Sequence, residues 1–117
     1  MDVLILDEVK SRKAKLAETL EKRRYKVVQC GTCNDFLGAV NNSLPGLILL
    51  DVDTWHHGRS MYSYFQIGKK IENVPVVFYN APENFVALGD RNRHEKDYVL
   101  QKPSEVESVI DAVSHSV

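Results

Sequence analysis

Hydrophobic positions are densest in the middle of the chain, where four large aliphatic residues follow one another at positions 47–50. A strand with one face in water would alternate apolar and polar residues, so this unbroken run predicts a strand buried on both faces. Pro45 and Gly46 provide a turn before it. The run ends at Asp51, and the functional groups of open α/β sheets lie just beyond the carboxyl ends of their strands. Asp51 is therefore the first candidate functional residue.

The same kind of pattern predicts alternating strands and helices along the whole chain. Short apolar segments predict strands at residues 3–6, 25–30, 47–51, 75–79 and 98–100. Helical spacing of apolar residues predicts helices at residues 9–24, 34–42, 60–71, 84–91 and from 104 onward. Such alternation implies a parallel sheet with helices on both faces. We therefore predict an α/β fold formed by a single domain over residues 1–117. It would be a flavodoxin-like (βα)5 doubly wound parallel sheet with strand order 2-1-3-4-5.

Two local motifs add detail to this scheme. Ser104 and Glu107 have the spacing of a capping box at the start of the last helix. The segment His56-His57-Gly58 is predicted to be a loop. Adjacent histidines near Asp53 leave open a transition-metal site, and exposed loop histidines are the alternative interpretation.

Composition and charge narrow the functional classes. Hydrophobic residues make up 44% of the chain and charged residues 26%, as in globular proteins. The formal net charge of −1 argues against direct binding of nucleic acid. No apolar run approaches the roughly 20 residues that cross a bilayer. An acid precedes the first apolar segment, which is unlike a signal peptide. We therefore predict a cytoplasmic protein with no membrane partner.

Basic residues are concentrated in the first predicted helix and its end. We predict that they form a solvated face balanced by Glu18 and Glu21. A docking surface for an acidic partner is the alternative. The residues concerned are Lys10, Arg12, Lys13, Lys15, Lys22, Arg23 and Arg24.

Cys30 and Cys33 form a Cys-x-x-Cys pair. One interpretation is a dithiol redox site. The other is two small, moderately apolar residues at a junction between a strand and a helix, and we favour it because Gln29 stands where such redox sites usually have an aromatic residue. A zinc site would need two further ligands near by, and the sequence supplies no second pair.

Charged side chains follow the ends of several predicted strands. Strands one and three are neighbours in the predicted sheet, which brings Asp7, Glu8, Asp51 and Asp53 to one edge. Crowded carboxylates repel unless a cation lies among them, and oxygen ligands of this kind suit Mg²⁺.

Two further residues reach the same edge, Asn80 from strand four and Lys102 from strand five. A lysine opposite the carboxylates would neutralise an incoming phosphoryl group. Asp51 would then be the nucleophile, because carboxylates form aspartyl-phosphate intermediates.

With these residues identified, the chain resembles the receiver domains of two-component response regulators over essentially its whole length. The resemblance implies that Asp51 accepts a phosphoryl group from a histidine kinase or phosphotransfer protein in a Mg²⁺-dependent reaction. It also implies that the chain is a signalling phosphoacceptor, not an enzyme. The matching residues are Asp7-Glu8, Asp51, Asn80-Ala81 and Lys102-Pro103.

The resemblance also implies further ligands and partners. Asp7, Glu8 and Asp51 would bind Mg²⁺, with the backbone carbonyl of Asp53 as a further ligand. Lys102 would contact the phosphoryl group. A downstream effector protein or output domain would recognise the switched surface, and a weak homodimer is possible within the family.

Three departures from the receiver pattern support an alternative function. Asn80 stands where the family has Ser or Thr, the segment after Asp51 lacks the usual proline, and Val99 aligns with the usual aromatic switch position. The alternative is a pseudo-receiver, a protein-interaction module that works without phosphorylation. A flavin or redox protein on the same fold is a third hypothesis. The acidic segment after strand one is the electrostatic opposite of a flavin phosphate loop.

Overall fold

The computed structural model describes residues 2–58, 67–85 and 91–117. Five parallel strands form one sheet in the order β2-β1-β3-β4-β5, as predicted. The strands are β1 (Asp2–Leu6), β2 (Lys26–Cys30), β3 (Leu47–Asp51), β4 (Val76–Ala81) and β5 (Tyr98–Gln101). The helices are α1 (Lys10–Lys22), α2 (Cys33–Asn42), α3 (Val52–Gly58) and α4 (Val106–Ser116), and residues 67–70 are also helical. No helix within the described part of the chain is long and apolar enough to span a membrane.

The aliphatic run in β3 is buried on both faces of the sheet. Ile48 and Leu50 lie in a hydrophobic cluster with α2 and α3, whereas Leu47 and Leu49 lie in a second cluster with α1 and α4. Successive side chains of a strand point to opposite faces, so each helix layer covers every second residue. The central strand therefore has no position that faces water.

Two local predictions were wrong. The segment His56-His57-Gly58 is the end of α3 and not a loop, because the helix begins directly after Asp51 and buries Val52 and Trp55 on one side. Ser104 does not cap the last helix: the N-cap of α4 is Glu105, without a side-chain bond.

The predicted third and fourth helices fall partly outside the described residues. Residues 59–66 of the third and 86–90 of the fourth are among those not described, while residues 67–70 are helical as predicted. Asn84 lies in a turn and Arg91 lies outside any helix. β4 extends to Ala81, two residues beyond its predicted end, so Asn80 is a strand residue.

A buried ion pair lies beside β4 and β5, at the β5 edge of the sheet. Arg91 donates to both carboxylate oxygens of Asp97, at 2.6 and 2.9 Å, and also to the carbonyl oxygens of Ile71 and Val74. Asp97 in turn accepts from the backbone N–H of Val76. The pair thus joins the segments before β4 and β5.

We expect Arg91→Met to destabilise the fold by about 3–5 kcal/mol, because it leaves the Asp97 carboxylate buried without a partner. The midpoint of urea unfolding measures this. The matched control is Lys22→Met, which removes an exposed pair with Glu18 and should cost less than about 1 kcal/mol. Equal losses in the two variants would contradict a structural role for the Arg91–Asp97 pair.

Candidate functional site

The geometry of the candidate site follows from strand register. Leu6 pairs with Leu50, and Asp51 pairs with Tyr79. Asp7 follows Leu6 directly, so it lies beside Asp51 at the carboxyl edge of the sheet. The odd-numbered residues of these strands face α1 and α4, which places Asp7, Asp51 and Tyr79 under the first helix.

Asp7 is fully buried and both of its oxygens are hydrogen-bonded. Arg12 donates from Nε to Oδ2 at 2.6 Å and from Nη2 to Oδ1 at 2.8 Å, which is a bidentate pair. The hydroxyl of Tyr79 donates to Oδ2 at 2.7 Å, and the backbone N–H of Val9 donates to Oδ1 at 2.9 Å. Each oxygen therefore accepts two hydrogen bonds.

Asp51 is 1% exposed and is surrounded in the same way. Its Oδ1 accepts from the side-chain amide of Asn80 at 2.9 Å. Its Oδ2 accepts from the Thr54 hydroxyl at 2.6 Å and the Thr54 backbone N–H at 3.2 Å. Nη2 of Arg12 lies 3.0 Å from the same oxygen. Arg12 thus contacts both buried carboxylates.

The sequence analysis missed Thr54 and Tyr79, which donate to the buried carboxylates, and it missed Arg12, the cation of the site. We predicted a solvated side chain, but Arg12 is only 22% exposed and points into the site. The hydrogen bond to Asp7 holds the pKa of Arg12 above its usual range, against the lowering effect of burial and with further support from the charges of Asp7 and Asp51. Its guanidinium also lies 5.6 Å from the centre of the Tyr79 ring.

A signal for Arg12 was present in the sequence. Arg12, Leu16 and Leu20 are spaced four residues apart, so they lie on one face of α1. Both leucines are fully buried against the sheet. A basic residue in the first turn of that face must therefore point towards the carboxyl edge of the sheet.

The other predicted site residues make their contacts at the rim. Glu8 binds Nδ1 of His57 at 2.9 Å. Lys102 donates from Nζ to Asp53 at 2.9 Å, and both side chains are about half exposed. The structure therefore brings Asp7, Asp51 and Asn80 into one cluster and pairs Lys102 with Asp53 beside it.

Asn80 connects Asp51 to the segment after β5. Its φ of 56° is in the left-handed region, which asparagine tolerates better than most residues. Its backbone N–H donates to the Ser104 hydroxyl at 2.8 Å, and its side-chain oxygen accepts from the Ser104 N–H at 2.9 Å. Ser104 also donates to the Gln101 carbonyl oxygen at 3.0 Å, which is why it is not the helix cap.

The residues that the receiver resemblance assigns to Mg²⁺ do not fit that ion in this arrangement. The oxygens of Asp7 and Asp51 are already occupied by Arg12 and by neutral donors. Asp53 lies within α3, where its carbonyl points along the helix axis towards residue 57. Within residues 2–58, 67–85 and 91–117, no group of three or more His, Cys, Asp or Glu side chains is arranged to hold a metal ion.

The two cysteines are core residues. Cys30 ends β2 and Cys33 begins α2, and both are free and buried. Burial raises the pKa of Cys30, and raises that of Cys33 to about 11. Because the thiolate is the reactive form, these shifts favour the structural interpretation over a dithiol redox site.

The aromatic position in β5 also departs from the receiver pattern. Val99, which aligns with the aromatic switch position, is 39% exposed. The neighbouring Tyr98 stacks on His115 of α4, with ring centres 5.2 Å apart. The tyrosine therefore has a partner on the last helix.

We expect the stability of the fold to fall as pH rises above about 9, the ordinary thiol pKa. Groups with a raised pKa in the folded state stabilise it below their unfolded pKa, and that contribution is lost as pH rises towards the folded pKa. Urea unfolding from pH 9 to 11 measures the fall, and Cys33→Ala should make it shallower. A urea midpoint that rises between pH 9 and 11 would contradict the raised pKa of Cys33. The same fall of the midpoint with pH in the wild type and in Cys33→Ala would contradict it as well.

Comparison with known proteins identifies the fold. No protein-family model and no curated protein sequence matches the chain. The N-terminal domain of a response regulator/sensory box/GGDEF three-domain protein from Carboxydothermus hydrogenoformans is 24% identical, with a TM-score of 0.69, over 99% of this chain and 93% of that one.

Two other solved structures are similar to the same extent. The receiver domain of PhyR from Erythrobacter litoralis is 23% identical, with a TM-score of 0.72, over 98% of this chain and 88% of that one. A two-component response regulator from Clostridium difficile is 21% identical, with a TM-score of 0.71, over 97% of this chain and 93% of that one. The chain therefore has the fold of the receiver domains of response regulators.

Proposed function

We propose that this chain is a receiver-fold signalling module that presents a protein-binding surface without phosphorylation of Asp51. The observation that carries the proposal is the state of the Asp51 carboxylate, which is buried, hydrogen-bonded by Asn80 and Thr54, and paired with Arg12. The partner would be a protein effector or output domain. The chain itself would catalyse no turnover.

Phosphoryl transfer to a carboxylate requires an oxygen that is free to approach phosphorus in line. Oδ2 of Asp51 accepts two hydrogen bonds from Thr54, and Nη2 of Arg12 lies 3.0 Å from it as an ion pair. A carboxylate oxygen has about two lone-pair sites, so Oδ2 has none to spare. Oδ1 accepts one hydrogen bond, from the amide of Asn80, and the residue is only 1% exposed, so burial restricts the approach of phosphorus to this oxygen.

Asn80 supplies a second argument for the same function. In the receivers that this chain resembles, a Ser or Thr at this position contacts the phosphoryl group and couples it to the surface. Here the Asn80 amide bonds Asp51 directly and its backbone and side chain bond Ser104. The connection from the pocket to the segment after β5 is therefore made without a phosphoryl group.

Asp51 as a phosphoacceptor is the second candidate function, favoured by its position at the carboxyl end of β3 beside Asp7 and Asn80. A histidine kinase or phosphotransfer protein would supply the phosphoryl group, Lys102 would contact it, and Mg²⁺ would bind at Asp7, Glu8 and Asp51. For this candidate Arg12 would have to leave both carboxylates.

Incubation with Mg²⁺ and acetyl phosphate separates the two candidates. We expect the intact mass of the wild-type protein to remain unchanged, because the Asp51 carboxylate is buried and hydrogen-bonded at both oxygens. A receiver domain known to accept phosphate from this reagent is the positive control. Addition of one phosphoryl group to the wild type, and its absence in Asp51→Asn, would establish the phosphoacceptor function instead.

A further inference from the structure

We infer that Arg12 is the resident cation of the acidic pocket and takes the place of a divalent metal ion. Its guanidinium lies against both Asp7 and Asp51, so the chain itself supplies a positive charge to the pocket. The protein should therefore be indifferent to Mg²⁺. The role of Arg12 rests on the function proposed above, because an Asp51 that accepts no phosphoryl group needs no metal ion. A measurement of cation binding can nevertheless refute the role of Arg12 by itself.

The buried carboxylates require a cation of some kind. Asp7 is fully buried and Asp51 is 1% exposed. Two neighbouring carboxylates that are buried away from water repel each other, and their ionised forms are unfavourable unless an opposite charge lies within a few ångströms. Arg12 satisfies this requirement at 2.6 Å from Asp7 and 3.0 Å from Asp51. One side chain therefore contacts both acids and offsets one of their two negative charges.

The shape of the guanidinium suits this task. Its planar fork meets both oxygens of Asp7 while Nη2 also reaches Asp51. Neutral donors from Tyr79, Thr54 and Asn80 also hydrogen-bond the two carboxylates. A metal ion would have to displace the arginine to reach these oxygens.

The fold also fixes the position of the guanidinium. Leu16 and Leu20 anchor the same face of α1 in the core, and the side chain passes close to the ring of Tyr79. Arg12 is thus held in place before any ligand arrives. A guanidinium that is already held in position loses little further conformational entropy when it forms its ion pairs. An incoming metal ion would therefore have to compete with an arginine that is already bound.

The ion pairs of Arg12 are more buried than the surface ion pairs of the chain. Lys22 and Glu18 are 75% and 67% exposed, and Lys102 and Asp53 are 50% and 41% exposed. Such pairs contribute little and are screened by salt. The carboxylates bound by Arg12 are inaccessible to water, so no dissolved ion neutralises them while the arginine is in place.

Titration with Mn²⁺ and Mg²⁺, without any phosphodonor, tests the role of Arg12. Paramagnetic broadening of amide signals by Mn²⁺ shows where the ion binds, and competition with Mg²⁺ shows specificity. The proteins are the wild type, Arg12→Met and the control Arg23→Met, which removes the same charge from the exposed end of α1. We expect no localised broadening in the wild type or the control.

Arg12→Met should behave in the opposite way. The unpaired acids should lower its melting temperature and create a cation site, so Mn²⁺ should broaden signals around Asp51 and Mg²⁺ should restore the melting temperature. We expect Mn²⁺ to bind Arg12→Met at least about tenfold more tightly than it binds the wild type. A tenfold change in affinity corresponds to about 1.4 kcal/mol of binding free energy.

If Arg12→Met does not fold, Arg12→Lys provides the comparison. Lysine keeps the charge and loses the fork, so this variant should be less stable than the wild type and still exclude Mn²⁺. Localised, Mg²⁺-competed broadening around Asp51 in the wild type would overturn the role of Arg12. Equal Mn²⁺ affinity in the wild type and Arg12→Met would overturn it as well. Wild-type protein that binds Mg²⁺ yet takes no phosphoryl group would refute this role and leave the proposed function standing.

Discussion

The ion pairing of Arg12 with two buried carboxylates is the interaction on which the rest of the site depends. Asp7 and Asp51 lie at the carboxyl edge of neighbouring parallel strands, where the fold brings them together and removes them from water. Their charges must be compensated there. Arg12 provides the compensation from α1, and the donors Tyr79, Thr54 and Asn80 complete the hydrogen bonding. The pocket consequently contains a cation as soon as the chain folds.

Hydrogen bonds of Asn80 link the pocket to the surface. Asn80 bonds Asp51 on one side and Ser104 on the other, so the position of the segment after β5 depends on the carboxylate. At the rim, Lys102 is paired with Asp53 and Glu8 with His57. Under the proposed function, these contacts hold the surface in one conformation without a covalent signal.

Much of the fold could be predicted from sequence because its signals are strong and local. The run at residues 47–50 predicted the central strand, the β-α alternation predicted a parallel sheet, and the flavodoxin-like strand order chosen for it is the one observed. The local errors have a common cause: tertiary contacts outweighed local patterns. Ser104 has cap chemistry but bonds Asn80, and His57 lies in a helix because Val52 and Trp55 are buried. The acids of the site were predicted, whereas their cation was not, because charge on a helix usually indicates a solvated face.

The most direct measurement of the central claim is a crystal structure of the protein grown with Mg²⁺ and beryllofluoride, a mimic of the phosphoryl group. The account predicts that the guanidinium of Arg12 remains between Asp7 and Asp51, with no beryllofluoride on Asp51. A structure with Mg²⁺ bound to these carboxylates, beryllofluoride on Asp51 and Arg12 turned out to solvent would contradict it.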